Sequence, residues 1–154
     1  MNSTLTAAAG EHYVAYKLSC FGFLAALVRQ GSPSTDLLTS NLDGSKTVAI
    51  QVKTTILAGR TRGRGENKVP HHLEFPLGHA AVERASPKLI FCFVDLRDNQ
   101  VGIPPDVYIV PASEIQSYYK DDDIRQYSYF RHHPKVEEME LFKNNWQPII
   151  AALS

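Results

Sequence analysis

The chain has 154 residues, 44% of them apolar, and its 16 Lys and Arg balance 16 Asp and Glu to a formal charge of zero. That length supports one ordinary hydrophobic core and reads as a single domain over 1–154. The neutral balance excludes crude polycation behaviour and leaves local clusters of Lys and Arg as the route to any phosphate partner.

From about residue 4 to 21 the spacing is helical: Ala7, Val14, Ala15, Leu18 and Phe21 share one stripe, and Thr4 or Thr6 can cap the start. Glu11 lies on that stripe too. A carboxylate among apolar neighbours is costly unless it is paired or coordinates a cation, so Glu11 needs a partner. Next come the run "LAALV" (24–28), a turn at "QGSPS" (30–34), "TDLLTS" (35–40), a turn at "NLDGS" (41–45) and the strand "KTVAIQVKTT" (46–55). Turn residues between short apolar runs predict an antiparallel meander, with Asp43-Gly44 as a hairpin signal.

The stretch "LAGRTRGRGENKVPHH" (57–72) has no periodicity, three glycines, three arginines and a lysine, and reads as a mobile basic loop. A short helix is predicted over "PLGHAAVERA" (76–85). "KLIFCFVD" (88–95) has the unbroken apolar character of a strand buried on both faces, and "DVYIVP" (106–111) is a further strand. Ser113 with Gln116 has the form of a capping box for a helix over 113–119. "DDD" (121–123) is a solvated turn. Residues 135–153 read as helical with a break before Pro148, the last helix packing through Leu141, Phe142, Trp146, Ile149 and Ile150. The order helix, three strands, helix, two strands, helices predicts a mixed α/β arrangement around a central sheet.

In the strand at 48–55, alternation sends Val48, Ile50 and Val52 to one face and Ala49, Gln51, Lys53 and Thr55 to the other. An amide and an ammonium thus stand side by side on the face opposite the apolar one. Taken with Glu11 in "GEHYVAYKL" and Asp36 in "STDLL", the "IQVKT" segment resembles the PD-(D/E)XK nuclease superfamily in a QxK form. The match covers residues 10 to 54, and the later helix and buried strand agree in order. Gln51 stands where that family most often has Glu, and Thr35 precedes Asp36 in place of Pro.

The resemblance implies a restriction-endonuclease-like fold with core order αβββαβ and a Mg²⁺-dependent site for which Mn²⁺ can substitute. In that site Asp36, Gln51, Glu11 and the backbone carbonyl of Val52 would bind metal. Lys53 would orient or deprotonate water, or stabilise the phosphorane. Phosphodiester hydrolysis asks for these groups, since charge on the scissile phosphate must be neutralised and a hydroxide-like nucleophile generated. The expected function is DNA cleavage by an endonuclease or resolvase-like enzyme, with DNA as partner and a homodimer implied. The alternatives are a silent nuclease-like domain that binds nucleic acid or protein, favoured by the neutral Gln51, and an unrelated small α/β binding protein.

Arg60, Arg62, Arg64 and Lys68 directly follow the proposed active strand and read either as a sequence-independent DNA clamp or as a solvated loop. His71/His72 and His132/His133 read as plain surface or loop residues, and His79 as a structural histidine that could instead reach a phosphate. Tyr118, Tyr119, Tyr127, Tyr129 and Phe130, near Arg125 and Arg131, could stack on bases or form an interface, or more often simply cover the core. Cys20 and Cys92 read as buried free thiols. With no signal-peptide pattern and no run near the roughly 20 apolar residues that span a bilayer, the expectation is a soluble, cytoplasmic protein.

Overall fold

The computed structural model describes residues 2–28, 34–83, 86, 88–126 and 130–154. Its first helix, α1 (Ser3–Cys20), begins ahead of both expected caps, because Asn2 is the cap and its Oδ1 accepts the Thr4 N–H at 2.9 Å. The buried row is Thr6, Gly10, Val14 and Leu18, an i, i+4 ridge; Ala7 and Phe21 are exposed. The true stripe contains a glycine and a threonine, which an apolar pattern does not register. Gly10 is there for close approach: a Cβ on it would lie 1.9 Å from Thr54 Oγ1. Cys20 is exposed, against expectation, whereas Cys92 is buried.

The expected meander follows as β1 (Leu24–Leu27), β2 (Leu37–Ser40) and β3 (Thr47–Thr55), paired antiparallel. The turn expected at 30–34 falls, except for Ser34, outside the described residues. Asp36 stands just ahead of β2 and not within it, yet its backbone continues the ladder. Its N–H donates to the Ile50 carbonyl at 2.9 Å and its carbonyl accepts from Val28 at 2.8 Å.

The segment expected to be a basic loop is a hairpin, β4 (Gly59–Arg62) against β5 (Val69–Leu73), with a bulge between Arg60 and Thr61 and a single 3₁₀ turn at Gly65–Asn67. Gly63 makes the turn possible: its φ is +106°, and a Cβ there would sit 2.2 Å from the Asn67 carbonyl oxygen. The short strand β6 (Phe75–Pro76) follows, then the helix α2 (His79–Glu83), shorter than the expected 76–85: Pro76 belongs to β6, Leu77 and Gly78 precede the helix, and 84 and 85 lie outside the described residues.

Every residue of β7 (Ile90–Asp95) is buried, as its continuous apolar character requires. It runs parallel to β3 and antiparallel to β8 (Asp106–Pro111), giving a mixed five-stranded sheet in the order β1-β2-β3-β7-β8. The expected αβββαβ order is present, with β4 to β6 inserted before α2. The α3 helix (Ala112–Tyr118) starts after Pro111 with no side-chain cap, so Ser113 is not a capping residue. Gln116 donates to the Val82 carbonyl at 3.3 Å and ties α3 to α2. The two-residue strand β9 (Arg131–His132) pairs with β6.

The C-terminal helix is broken ahead of Pro148, as expected. The α4 helix (Val136–Met139) runs into a 3₁₀ turn at Glu140–Phe142, and α5 spans Gln147–Leu153 with Pro148 in its first turn, where a missing N–H costs nothing. Asn144, at φ +52°, turns the chain and accepts the Val107 N–H at 2.9 Å.

Each face of the sheet carries its own core. Val14 and Leu18 of α1 and Trp146, Ile149 and Leu153 at the chain end pack with Val48, Ile50 and Val52. On the other face, Phe91 and Phe93 pack with Phe75, Ala81, Ile115 and Phe130. Leu141 is exposed and Phe142 belongs to this second core, so neither joins the packed face of the last helix. No helix among the described residues is long and apolar enough to cross a membrane.

Candidate active site

The cleft exists because β3 is longer than its neighbour. Strand β2 covers β3 only as far as Ile50, while β7 continues beside it to Thr55. Beyond Ile50 one edge of β3 is therefore open. Asp36 closes the first position with its side chain: Oδ2 accepts the Val52 N–H at 2.7 Å. The N–H and C=O of one strand residue point to the same edge, so the Val52 carbonyl faces the space that Asp36 occupies. From one face α1 supplies Glu11; from the other come Arg60 of β4, Pro76 of β6 and Arg131 of β9. Together with Lys53 they line a cleft of about 700 Å³.

The site's electrostatics are those of carboxylates short of positive charge. Burial, then the neighbouring charge of Asp36, pushes the Glu11 carboxyl above its ordinary range, with His12 opposing weakly. Burial pushes the Lys53 ammonium below its ordinary value, and Asp36 pulls it back. Both side chains thus sense Asp36, whose charge repels the Glu11 carboxylate and attracts the Lys53 ammonium.

Of the expected residues, Glu11, Asp36, Val52, Lys53 and Arg60 meet in this cleft. Gln51 does not line it. It faces an adjoining cavity of about 590 Å³ together with Lys53, His79, Glu83 and Arg125, so Lys53 stands at the junction of the two spaces. Gln51 is 4% exposed, and among the described residues its Oε1 has no hydrogen-bond partner. A buried acceptor without a donor is costly, which marks this oxygen as free for a cation or a ligand. Arg62, Arg64 and Lys68 are exposed on the hairpin outside the cleft.

The other candidates divide. His79 Nε2 is buried without a partner among the described residues, its ring 5.7 Å from that of Phe130. His71 and His72 touch through their Nδ1 atoms at 2.8 Å. His132 is no surface residue: it is 1% exposed, held at Nδ1 by the Tyr119 hydroxyl at 2.7 Å, and burial lowers its pKa to about 3. Tyr119 and Phe130 serve this interior, which accounts for part of the aromatic cluster; Tyr127 and Tyr129 lie outside the described residues.

Two residues at or beside the cleft carry no signal that ties them to it: the sequence places Arg131 only beside the aromatic cluster and does not single out Glu74. Arg131 enters the cleft from a strand far along the chain, and Glu74 holds it there by an ion pair. Nothing in the spacing links either to "IQVKT".

Among the described residues, no three His, Cys, Asp or Glu side chains group closely enough to hold a metal by themselves. The donors near the β3 edge are the Glu11 and Asp36 carboxylates, the Val52 carbonyl and, across the junction, the Gln51 amide. All are hard oxygen donors, the chemistry that suits Mg²⁺ or Mn²⁺, and Mg²⁺ keeps several waters and so asks for few protein ligands.

No protein-family model matches the chain. No curated protein matches it either. Among solved structures it shares the fold of an endonuclease. That structure is the bacterial homing endonuclease I-Ssp6803I, with a TM-score of 0.60 over 99% of this chain and 94% of that one, at 11% identity. At this identity the likeness is one of fold, and it extends over the mixed sheet and its flanking helices.

Proposed function

We propose that this protein is a metal-dependent DNA endonuclease of the PD-(D/E)XK type, cutting at the open edge of β3. The observation that carries the reading is the Asp36 carboxylate fixed on the Val52 N–H beside Glu11 and Lys53. The endonuclease fold of the structural neighbour supports it.

Asp36, Glu11 and the Val52 carbonyl would hold Mg²⁺ or Mn²⁺, whereas Gln51, expected among the ligands, faces the adjoining cavity. When bound, the ion supplies charge neutralisation at the scissile phosphate and acidifies water. Asp36 keeps its orientation through the Val52 N–H and so presents its other oxygen outward. Lys53 orients the attacking water and donates hydrogen bonds to the phosphate oxygens as charge builds on them. Its depressed pKa brings it closer to accepting a proton than a free lysine. The exposed Arg62, Arg64 and Lys68 of the hairpin would follow the backbone outside the cleft without reading sequence. One cleft per chain cuts one strand, so cutting both strands of a duplex would pair two copies.

A silent DNA-binding domain is the second reading, favoured by Gln51 facing the adjoining cavity and by the lack of a third carboxylate among the described residues. Incubation of supercoiled plasmid and of a branched duplex with Mg²⁺, Mn²⁺ or chelator decides between them. Nicking that the chelator abolishes supports the enzyme, and binding without nicking supports the silent domain.

A further inference from the structure

Glu74 sits between three basic side chains. Its Oε1 accepts from Arg60 Nη2 at 3.3 Å and from Arg131 Nη1, and its Oε2 lies 3.6 Å from His133 Nε2. Arg60 is fixed further, because its Nη1 donates to the carbonyls of Leu57 at 2.8 Å and Gly59 at 3.2 Å. Two guanidiniums that would otherwise repel are held together by one carboxylate. Burial alone would raise Glu74, but Arg60 and Arg131 hold its carboxyl below the usual range.

We infer that Arg60 and Arg131, joined by Glu74, form a second phosphate subsite in the cleft, gripping a backbone phosphate next to the one that is cut. Both arginines line the same cleft as Glu11, Asp36 and Lys53, and their side chains stay 36% and 40% exposed, so an anion can reach them. The Arg60 Nε–H has no acceptor among the described residues and remains for such a ligand. Planar guanidiniums with several fixed N–H donors match phosphate geometry, and a shared carboxylate sets their spacing before the ligand arrives. The far wall needs this charge. Glu11 and Asp36 face Lys53 as two carboxylates against one ammonium and would repel an approaching strand, whereas the Glu74 group has two guanidiniums against one carboxylate.

This inference rests on the nuclease reading for the identity of the strand, but its test does not need cleavage. Affinity for a short mixed-sequence DNA duplex is measured against salt concentration in chelator, for the wild type, Arg131→Gln, Arg60→Gln and Arg131→Lys. Removing one phosphate-binding charge lowers the slope of log affinity against log salt by about 1. The expected result is that reduction in both Gln variants and its recovery in Arg131→Lys, which keeps the charge. An unchanged slope in both Gln variants, with a lowered melting temperature, would overturn the subsite and leave a structural brace between β4 and β9. A reduced slope in a protein that cuts nothing would keep the subsite while removing the endonuclease. Cleavage with unchanged slopes would do the reverse.

Discussion

Asp36 accepts the Val52 N–H at 2.7 Å where β2 stops covering β3, so one carboxylate both caps the sheet edge and marks the cleft. Its two roles separate by substitution. Asp36→Asn retains an oxygen for the Val52 N–H and is expected to hold stability within about 1 kcal/mol while abolishing metal-dependent cleavage. Asp36→Ala leaves that N–H without its partner and is expected to cost about 1–3 kcal/mol as well. Urea unfolding and plasmid nicking on the same preparations check both.

The raised Glu11 and lowered Lys53 pKa values make the metal-free protein sensitive to pH. For Glu11 the folded state favours the protonated acid. Its contribution is fully present below the ordinary carboxyl pKa and is lost as pH rises through the raised value. For Lys53 the folded state favours the neutral amine, so its contribution is present above the ordinary lysine pKa and lost as pH falls through the depressed value. Mg²⁺ competes with the proton on Glu11, so the melting-temperature gain on adding Mg²⁺ should grow as pH rises across the raised Glu11 range. In Glu11→Gln the gain should be smaller and nearly independent of pH there. A gain that stays constant with pH in the wild type would contradict this assignment of Glu11.

Gly10 lets α1 approach β3 closely enough to place Glu11. Gly10→Ala would put a methyl group 1.9 Å from Thr54 Oγ1 and 2.9 Å from its Cγ2, so the branched side chain cannot simply rotate one arm away. The expected loss is about 1–3 kcal/mol, from overpacking that helix propensity does not offset. Cleavage should fall further than stability alone explains, because a displaced Glu11 no longer meets Asp36 in the cleft. Thr54→Ala in the same chain should recover part of both, which thermal melts and nicking rates measure.

Asp106 joins the start of β8 to two other segments and tests stability apart from chemistry. Its carboxylate accepts from Arg97 at 2.7 Å and Asn144 at 3.0 Å, with Lys143 at 3.3 Å. Burial alone would raise its pKa, but these three partners hold it below the usual range. Its stabilisation is therefore present above the ordinary carboxyl pKa and lost as pH falls through the depressed one. Asp106→Ala is expected to cost about 2 kcal/mol at neutral pH, discounted for the exposure of Arg97. It should flatten the acid limb of the stability profile and leave cleavage per folded molecule unchanged.

The hairpin outside the cleft adds to the salt dependence of the DNA affinity if Arg62, Arg64 and Lys68 follow the backbone. Replacing all three with Gln should lower the salt slope by about 2–3 with little effect on melting temperature, since none of the three is buried. An unchanged slope would show the hairpin to be a solvated surface.

The sequence was most legible where burial writes a pattern. Alternation in β3 and the unbroken apolar run of β7 announced the centre of the sheet, and "IQVKT" after Asp36 announced the cleft. Legibility failed where small or polar residues have structural roles. Gly10 and Thr6 hide the buried row of α1, and Gly63 with its basic neighbours makes the β4–β5 hairpin look like a loop. His132 sits beside a second histidine and looks exposed, yet the Tyr119 hydroxyl satisfies it inside the core. The position of Gln51 was only half visible: alternation gave its face correctly but could not tell that this face opens into a different cavity from the carboxylates. Arg131 and Glu74 depend on long-range pairing of β6 with β9, which no local spacing encodes.

Whether the open edge of β3 is a nuclease active site is decided by plasmid nicking rates in a Mg²⁺ titration, wild type against Lys53→Ala, with duplex affinity measured beside them. Saturable Mg²⁺-dependent nicking is expected, falling by about 10² or more in the variant while duplex affinity changes little. Nicking that persists undiminished in Lys53→Ala would remove β3 from the chemistry.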